Sequence, residues 1–335
     1  MSCHQRTMIE LSQSSPNMIN WVVGSSGLLG SSVSKYLPKS QANWSPTQRL
    51  EWMSNTSIDA QYIFEKSVEI AVNEFAAELD GRPWTIFWCA GVGTVSTNKE
   101  HLDLEVKAIR FFVNSLLSKP QIDSRLGTIF FASSAGGVYA GSSNPPFDEN
   151  TSPVAISDYG SQKLEIEEFL TGITQKHEIK VVIGRIANLY GQGQDRKKKQ
   201  GLVSAIVRSN IANEVVRLYV PLQTIRNYIY VDDAAKQIIY AVQTSDYKVL
   251  IIVICSPNNS SVSSLLSTVQ SIFNRKTLVA LSVLPESRLQ PVDLRLTSTK
   301  MNNLQMKSGT PLVVGINNLK IEMLKNLQKS AELIH

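Results

Sequence analysis

The chain has 335 residues and a formal net charge of +5, with 43% hydrophobic and 18% charged residues. This composition is typical of a globular protein with a sizeable core and excludes a disordered chain. The sequence has no apolar run of membrane-spanning length, no zinc-finger spacing and no interleaving of basic and aromatic residues. We therefore expect no membrane partner and no nucleic-acid partner.

Residues 1–17 are rich in Ser, Gln and Asn and lack the apolar stretch of a secretory signal. They predict a polar N-terminal extension. Cys3, Cys89 and Cys255 lie far apart, as in proteins of a reducing compartment, and we predict a cytoplasmic protein. Neither the cysteines nor the four histidines fall in a metal-ligand spacing or a Ser-His triad motif, so no metal site is predicted.

From residue 18 onward, short apolar runs alternate with longer amphipathic segments. Strands are predicted at 19–24, 84–90, 128–133 and 181–185, and helices at 27–37, 65–79, 101–117 and 158–175. The second strand, best placed at 41–45, is short and poorly apolar, and residues 49–53 are predicted to be helical. Apolar strands separated by helices indicate an α/β fold whose doubly wound parallel sheet forms a Rossmann domain over residues 18–185.

The pattern changes after residue 185. A helix is predicted at 202–210, a strand at 250–254, and further helices at 262–273 and 317–329. We predict that residues 186–335 form mainly a smaller C-terminal α/β lobe that binds substrate, while core elements of the first domain continue into 225–255. The basic run at 196–199 predicts either a solvated loop or a loop that attracts an anionic substrate.

A glycine motif, Gly24-Ser-Ser-Gly-Leu-Leu-Gly30, follows the first strand and opens the first helix. This context predicts a dinucleotide site, because such glycines permit a tight turn, close approach to a pyrophosphate and close packing of the helix. The helix N-terminus then attracts the pyrophosphate. The predicted cofactor contacts in this turn are Gly24, Ser26, Gly27, Leu28 and Gly30; the alternative is a glycine turn that serves packing alone.

Recognition of the adenosine ribose is less clearly encoded, because no acidic residue occurs between positions 31 and 50. The absence of a carboxylate and the presence of Arg49 favour a 2′-phosphate, so NADP is our first choice and NAD the second. Glu51 is a rival, although a surface position is expected for it. Cys89, Ala90 and Gly91, at the end of a predicted strand, are also expected to contact the cofactor, although Gly91 could serve the turn alone.

The catalytic group is predicted from a Tyr-x-x-x-Lys pair, Tyr159 and Lys163, which a helix places on one face. A phenol with an unperturbed pKa of about 10 exchanges protons poorly near neutral pH, and a nearby cation favours its deprotonated form. Tyr159 and Lys163 are also expected to contact the cofactor, with Lys163 hydrogen-bonding the nicotinamide ribose. Ser134, at the end of a predicted strand, is expected to hydrogen-bond the substrate oxygen; Ser133 is the alternative and a predicted cofactor contact.

In this order, together with GRIANLYG at 184–191 and RNYIYVDD at 226–233, these motifs resemble the extended short-chain dehydrogenase/reductases of the NAD-dependent epimerase/dehydratase family. The resemblance covers residues 18–327 and implies a nucleotide-diphosphate-sugar substrate. It implies that Asn188 contacts the substrate phosphates and that Arg226 or Arg295 pairs with the diphosphate. Alternatively, Asn188 caps a turn and Arg226 pairs with Asp232. A homodimer formed through helices 101–117 and 158–175 is also implied.

The chain departs from the family pattern at several positions. Gln162 stands where a serine is usual, Ala187 replaces an aromatic residue, and Val-Pro-Leu at 220–222 replaces a glycine-containing turn. Ala-Gly-Gly at 135–137 provides no acid of the kind that dehydratases carry, which disfavours dehydration. We therefore expect a nucleotide-sugar epimerase; the alternatives are an NADPH-dependent keto-reductase and a non-catalytic protein that senses dinucleotides.

Overall fold

The computed structural model describes residues 17–193, 201–282, 290–302 and 309–332. The strands in these ranges are β1 (Ile19–Val23), β2 (Ala42–Trp44), β3 (Trp84–Trp88), β4 (Gly127–Ser134), β5 (Lys180–Ile186), β6 (Asn188–Tyr190), β7 (Val216–Leu218), β8 (Ile225–Tyr230), β9 (Val249–Ile254), β10 (Asn259–Ser261), β11 (Val279–Leu281) and β12 (Asp293–Leu294). Six of the described strands form a parallel sheet in the order β2-β1-β3-β4-β5-β9. The predicted doubly wound sheet is thus confirmed.

The described helices cover both faces of this sheet. They are α1 (Leu28–Tyr36), α2 (Ile58–Leu79), α3 (Lys99–Leu117), α4 (Ala135–Val138), α5 (Asp158–Lys176), α6 (Leu202–Ala212), α7 (Val231–Thr244), α8 (Val262–Phe273), α9 (Thr299–Asn302) and α10 (Leu312–Glu332). Side chains of Ser57, Asn98 and Ser157 cap α2, α3 and α5 by accepting hydrogen bonds from the first turn. None of the described helices has the length and apolarity to cross a membrane.

Successive side chains of each strand point to opposite faces of the sheet, so the core has two layers. In β1, Trp21 packs with α2, α3 and α5 on one face, whereas Val22 packs with α1 and α7 on the other. The same division holds in β4, where Phe131 and Phe130 face opposite layers. Because both faces are buried, the strands are apolar throughout, which explains why they were readable from the sequence.

The segment between β2 and α2 differs from its prediction. Residues 49–53 form no helix, and α2 begins at Ile58 rather than at 65. Instead, the Glu51 amide donates a hydrogen bond to Ser67 Oγ at 3.1 Å, and Leu50 and Met53 pack on the core. Tertiary contacts therefore override the local helical pattern and hold this segment as a loop.

One strand, β2, lies beyond β1 in the continuously described stretch 17–193. The usual order of a dinucleotide-binding sheet, 3-2-1-4-5-6, places two strands there. In this chain, the loop at 45–57 and α2 lead directly from β2 to β3 on the other side of β1. Compared with that order, the edge of the sheet beyond β1 is therefore one strand short.

The C-terminal part adds a smaller α/β assembly. There, β8 pairs with β6, β10 and β12, and β7 pairs with β11. Buried apolar residues of α6, α8 and α10 pack with these strands as a third core. In contrast, β9 joins the main sheet, and α7 packs on α1. The predicted basic run at 196–199 and the extension up to residue 16 lie outside the described residues.

Replacing Gly30 by Ala is expected to lower the free energy of unfolding by about 1–3 kcal/mol. A Cβ atom at this position would overlap the carbonyl oxygen of Gly24, so α1 would have to move away from the turn. Gly172 in α5 is a matched control, because nothing lies within 4 Å of its Cβ position and Ala there should stabilise by about 0.5–1 kcal/mol. Urea unfolding of both variants tests this, and equal changes would contradict the packing role of Gly30.

Candidate active site

The glycine turn after β1 has the geometry of a phosphate cradle. Gly24 has a φ of +87°, and a Cβ atom there would lie 2.7 Å from the amide nitrogen of Ala90. Gly27 is the N-cap of α1, and its amide donates a hydrogen bond to Gly24 O at 3.0 Å. The turn therefore presents backbone and the N-terminus of α1, which fit the pyrophosphate of a dinucleotide.

A cavity of about 290 Å³ lies beside this turn. Seven of the predicted cofactor residues line it: Gly24, Ser26, Gly27, Cys89, Ala90, Gly91 and Lys163. The rest of its wall is mostly apolar and consists of Trp52, Met53, Trp88, Val92, His101, Leu104, Glu105, Ala108, Phe131 and Ile166. The structure thus brings the glycine turn and Lys163, which lie far apart in the sequence, to one cavity.

Five other predicted cofactor residues do not line this cavity, and Tyr159 is one of them. Leu28 and Gly30 belong to α1, where Gly30 packs against the turn. Arg49 is exposed on the loop after β2. Ser133 is buried, and its hydroxyl donates a hydrogen bond to Glu167 Oε1 at 2.5 Å. The Ser133 side chain is therefore directed into the core rather than to the cavity.

Cys89 borders the same cavity as a neutral group. Burial raises the pKa of the Cys89 thiol to about 12. A thiolate is the reactive form of cysteine, so this side chain acts as a small apolar wall residue near neutral pH.

A second cavity, of about 660 Å³, lies between the carboxyl edge of the sheet and the C-terminal part. Ser134, Tyr159, Asn188 and Arg226 line it, as predicted for the substrate site. The two cavities meet along the loop after β3, since Val92 borders the smaller one and Gly93 the larger one. They are also joined by α5, which carries Tyr159 on one cavity and Lys163 on the other.

The Tyr159 ring is held between two glycines. A Cβ atom on Gly93 would lie 3.4 Å from Tyr159 Cδ2, and one on Gly137 would lie 3.1 Å from Cδ1 and Cε1. Lys163 is 6% exposed, and its ammonium lies 5.5 Å from the centre of the Tyr159 ring and 5.2 Å from that of Phe131. The phenol is therefore positioned by backbone on both sides, with a fixed cation near it.

Ser134 both caps the short helix α4 and lines the larger cavity. Its Oγ accepts a hydrogen bond from the Gly137 amide at 3.2 Å and so caps α4, yet the side chain also lines the larger cavity beside Tyr159. Capping uses one lone pair of the hydroxyl, so its proton and second lone pair are free for a ligand.

Arg226 borders the larger cavity without a carboxylate partner among the residues that the structure describes; its Nη1 donates to Ile225 O at 2.9 Å. Burial lowers the pKa of this guanidinium from its ordinary value, although it stays charged. The alternative pairing with Asp232 does not occur, because Asp232 accepts from Lys35 at 3.0 Å. Asn188 Nδ2 donates to Asn227 O at 3.0 Å.

Arg295 is not brought to this cavity with the other predicted substrate residues. Its Nε donates to both carboxylate oxygens of Asp293 at 3.0 Å, and its Nη2 donates to Pro145 O at 3.4 Å. This arrangement leaves Arg226 as the better-placed of the two arginines for an anionic group.

Beneath Ser134 and α5 lies a buried ion pair that the sequence did not reveal. Arg185 and Glu167 are each 5% exposed and pair at 2.7 Å. Arg185 also donates to Tyr139 Oη at 2.9 Å, and Tyr139 donates to Asp148 O at 2.7 Å. With the hydroxyl of Ser133 donated to Glu167, this network ties β4, β5 and α5 together directly below the site.

A second network joins the two cavities. Glu105 Oε1 accepts from the amides of Val92 at 2.6 Å and Gly93 at 2.8 Å. Gln162 Nε2 donates to Glu105 Oε2 at 2.9 Å and to Leu102 O at 3.1 Å. Gln162, noted in the sequence only as a departure from the family pattern, thus fastens α5 to the loop that borders both cavities.

The sequence matches the NAD dependent epimerase/dehydratase family over residues 21–255. This match covers well over half of the chain. The chain belongs to this family. Membership confirms the resemblance that the motifs predicted, including the extended short-chain dehydrogenase/reductase fold.

Two curated relatives bear the names of nucleotide-sugar enzymes. A dTDP-4-dehydro-6-deoxyglucose reductase of Escherichia coli is 28% identical over 169 residues, which are 50% of this chain and 52% of that protein. A Methanocaldococcus jannaschii protein, assigned as a candidate UDP-glucose 4-epimerase, is 33% identical over 108 residues, 32% of this chain and 35% of that protein. The chain thus spans about half or less of the length of these relatives.

Solved structures share the fold over nearly the whole chain. UDP-glucose 4-epimerase of Thermotoga maritima, determined with UDP-glucose, has a TM-score of 0.72 at 21% identity and covers 93% of this chain and 99% of its own. RMD of Pseudomonas aeruginosa, complexed with NADPH, has a TM-score of 0.73 at 16% identity, covering 92% and 99%. A Thermus thermophilus UDP-glucose 4-epimerase in complex with NAD has a TM-score of 0.71 at 19% identity and covers 92% of this chain and 99% of its own. At these identities the likeness shows the fold.

Sequence reasoning missed Glu105, Trp52 and the Arg185–Glu167 pair. Glu105 lies mid-helix with no local signal, and Trp52 lies in a segment predicted as a surface helix. A buried charge such as Arg185 inside an otherwise apolar strand was a usable signal, since charges are rarely buried without a partner.

Replacing Glu105 by Ala is expected to free the loop after β3. Hydrogen exchange at the Val92 and Gly93 amides should accelerate by about 10- to 100-fold, because hydrogen bonds to a charged acceptor are lost. Hydrogen-exchange mass spectrometry measures this effect. Lys107→Ala, at an exposed position of the same helix, is the control. Unchanged exchange in the Glu105 variant would contradict the proposal that Glu105 holds the loop after β3.

Proposed function

We propose that this protein is an NAD(P)-dependent epimerase of a nucleotide-diphosphate sugar. The observation that carries the proposal is the placement of Tyr159 and Lys163 one helical turn apart, on two joined cavities of different character. One cavity has a phosphate cradle, and the other is lined by two arginines, Arg217 and Arg226, and by the strand-end hydroxyl of Ser134. A hydride-transfer enzyme needs this arrangement, because cofactor and substrate must meet at one proton-transfer group.

The chemistry assigned to the chain's own residues is proton transfer and orientation. A bound dinucleotide supplies the hydride acceptor and donor. Tyr159 takes the proton of the sugar hydroxyl as the carbon is oxidised to a ketone and returns it on reduction. Ser134 hydrogen-bonds the same oxygen, and the Lys163 ammonium electrostatically favours the phenolate form of Tyr159, which accepts the proton in the oxidation step.

The wall around Ser134 and Tyr159 favours epimerisation or reduction over dehydration. Residues 135–137 form α4, and Gly136 and Gly137 border the substrate cavity with no acid to protonate a leaving hydroxyl. The two curated relatives divide between epimerase and reductase. The SSAGGVY segment at 133–139 resembles epimerases, and we therefore place epimerisation first and NADPH-dependent keto-reduction second.

The substrate class follows from the anionic site. The Arg226 guanidinium, without a carboxylate partner in the described part of the chain, suits a diphosphate through its planar set of donors. Asn188 lies on the same wall. Support also comes from the fold relative determined with UDP-glucose. We propose that the nucleotide diphosphate lies against this wall and the sugar against Tyr159.

A panel of nucleotide sugars incubated with the protein and either an oxidised cofactor, NADP+ or NAD+, or a reduced one, NADPH or NADH, separates the three candidate functions. An isomerised sugar formed with the oxidised cofactor, without net reduction of that cofactor, supports epimerisation. Net loss of absorbance at the nicotinamide band with 4-keto sugars supports reduction. Binding of cofactor without turnover of any sugar supports the non-catalytic sensor and contradicts both enzymatic proposals.

Replacing Tyr159 by Phe is expected to reduce turnover by at least about 100-fold, since the ring remains but the exchangeable proton is lost. Cofactor affinity should stay close to that of the wild type, because the cradle and Lys163 are unchanged. Steady-state kinetics and calorimetric titration measure the two quantities. Tyr247→Phe, at an exposed position, is the control; full activity in the Tyr159 variant would refute the acid-base assignment.

For the cofactor, we propose NADP as the preferred form. No acidic residue lies between positions 31 and 50, and Arg49 is exposed on the loop after β2, free to approach a 2′-phosphate. Arg49→Glu is expected to change the ratio of NADPH to NADH dissociation constants by about tenfold or more. Lys276→Glu, with the same change of charge in the C-terminal part, is the control. An unchanged ratio would rule out Arg49 as the phosphate ligand.

We also propose a homodimer formed through α3 and α5, as the family resemblance implies. These helices pack side by side, with Arg110 paired to Glu165 at 3.1 Å and stacked over Phe169. Sedimentation that shows only monomer would contradict this proposal.

A further inference from the structure

The missing strand of the sheet changes what stands beside the adenosine half of the cofactor cavity. In a doubly wound sheet, the half built from the first strands binds adenosine, and the later half binds the nicotinamide side. Here the loop at 45–57 follows β2 directly, and two of its side chains, Trp52 and Met53, line the smaller cavity. Lys163 and Phe131, from the later half, line the same cavity.

Trp52 has the properties of a stacking platform. Of the five tryptophans in the chain, Trp21, Trp84 and Trp88 are buried and Trp44 is partly buried, whereas Trp52 is 47% exposed. An indole left half exposed at the wall of a cavity offers a flat apolar surface to a planar ligand. Adenine is such a ligand, and it would be attached to the pyrophosphate that the glycine turn fits.

Two buried aromatic rings hold the orientation of the Trp52 ring. Its ring stacks on Phe64 with centroids 6.0 Å apart and an interplanar angle of 29°, and it meets Trp88 nearly perpendicularly at 5.9 Å. Both partners are buried, at 0% and 4% exposure. Because little side-chain freedom remains to be lost on binding, a ring held in this way stacks a base more favourably than a mobile one.

We propose that Trp52 is the residue that stacks against the adenine base of the dinucleotide, with Met53 beside it. These side chains stand in place of the wall that the additional strand supplies in sheets of the usual order. The inference rests on the proposed function in one respect, that a dinucleotide occupies the smaller cavity. It deepens that function by assigning adenine recognition to the loop between β2 and α2.

The test separates the two halves of the cofactor. Dissociation constants of ADP-ribose, reduced nicotinamide mononucleotide and NADPH are measured by calorimetry for the wild type, Trp52→Ala and Trp52→Phe. Trp52→Ala is expected to weaken ADP-ribose and NADPH by about 5- to 100-fold and to leave the mononucleotide unchanged. Trp52→Phe keeps an aromatic face and should retain most of the affinity. Tyr62→Ala, another exposed aromatic residue but outside both cavities, is the control.

Fluorescence provides a second readout that does not depend on the stability of the alanine variant. ADP-ribose should quench the emission of the wild type, and this quench should be lost in Trp52→Phe although calorimetry still reports binding. Three results would overturn the stacking role. They are an unchanged quench in Trp52→Phe, wild-type affinity for ADP-ribose in Trp52→Ala, and an equal loss of affinity for ADP-ribose and the mononucleotide in Trp52→Ala. If the wild type binds neither NADPH, NADH nor ADP-ribose, the cofactor assignment itself fails, and this inference fails with it.

Discussion

Close backbone packing of α5 against the carboxyl edge of the sheet is the constraint on which the site depends. A Cβ atom on Gly160 would overlap the carbonyl oxygen of Gly137, so the first turn of α5 lies directly on α4. This contact brings the neighbouring Tyr159 between the backbone of the loop after β3 and that of α4, and it orients Lys163 into the smaller cavity. A larger residue at 160 would move both groups together.

Two polar networks hold this packing in place from opposite sides. Below α5, Glu167 and Arg185 form a buried pair whose remaining hydrogen bonds reach Ser133 and Tyr139. Above it, Gln162 and Glu105 fasten the helix to the loop that both cavities share. Buried polar groups that are mutually satisfied define one arrangement, because any displacement leaves a charge without a partner. The position of the Tyr159 phenol is thus defined by hydrogen-bond geometry as well as by apolar packing.

The shortened sheet shows how a family fold tolerates the loss of an element. The six-strand order retains β1 and β3 as neighbours, and the cleft between their carboxyl ends is the place where dinucleotides bind in such sheets. In this chain, a loop with two apolar side chains follows β2 and lines the smaller cavity. The strand β2 is present and ends at Trp44 without a carboxylate, in agreement with the absence of acidic residues between positions 31 and 50.

Local signatures in the sequence were enough to predict the six strands of the main sheet, most helices, the glycine turn and the pair Tyr159–Lys163, because each shows continuous apolarity, periodicity, or residues at fixed spacing. The sequence also pointed to Ser134, Asn188 and Arg226 as candidates for substrate binding, and the fold brings these three to one cavity. Three outcomes become visible only in the folded chain: Arg295 pairs with Asp293, Ser133 turns to Glu167, and Trp52 lines a cavity rather than lying in a surface helix. Such outcomes depend on partners distant in sequence, and no local pattern in one chain records which of them will meet.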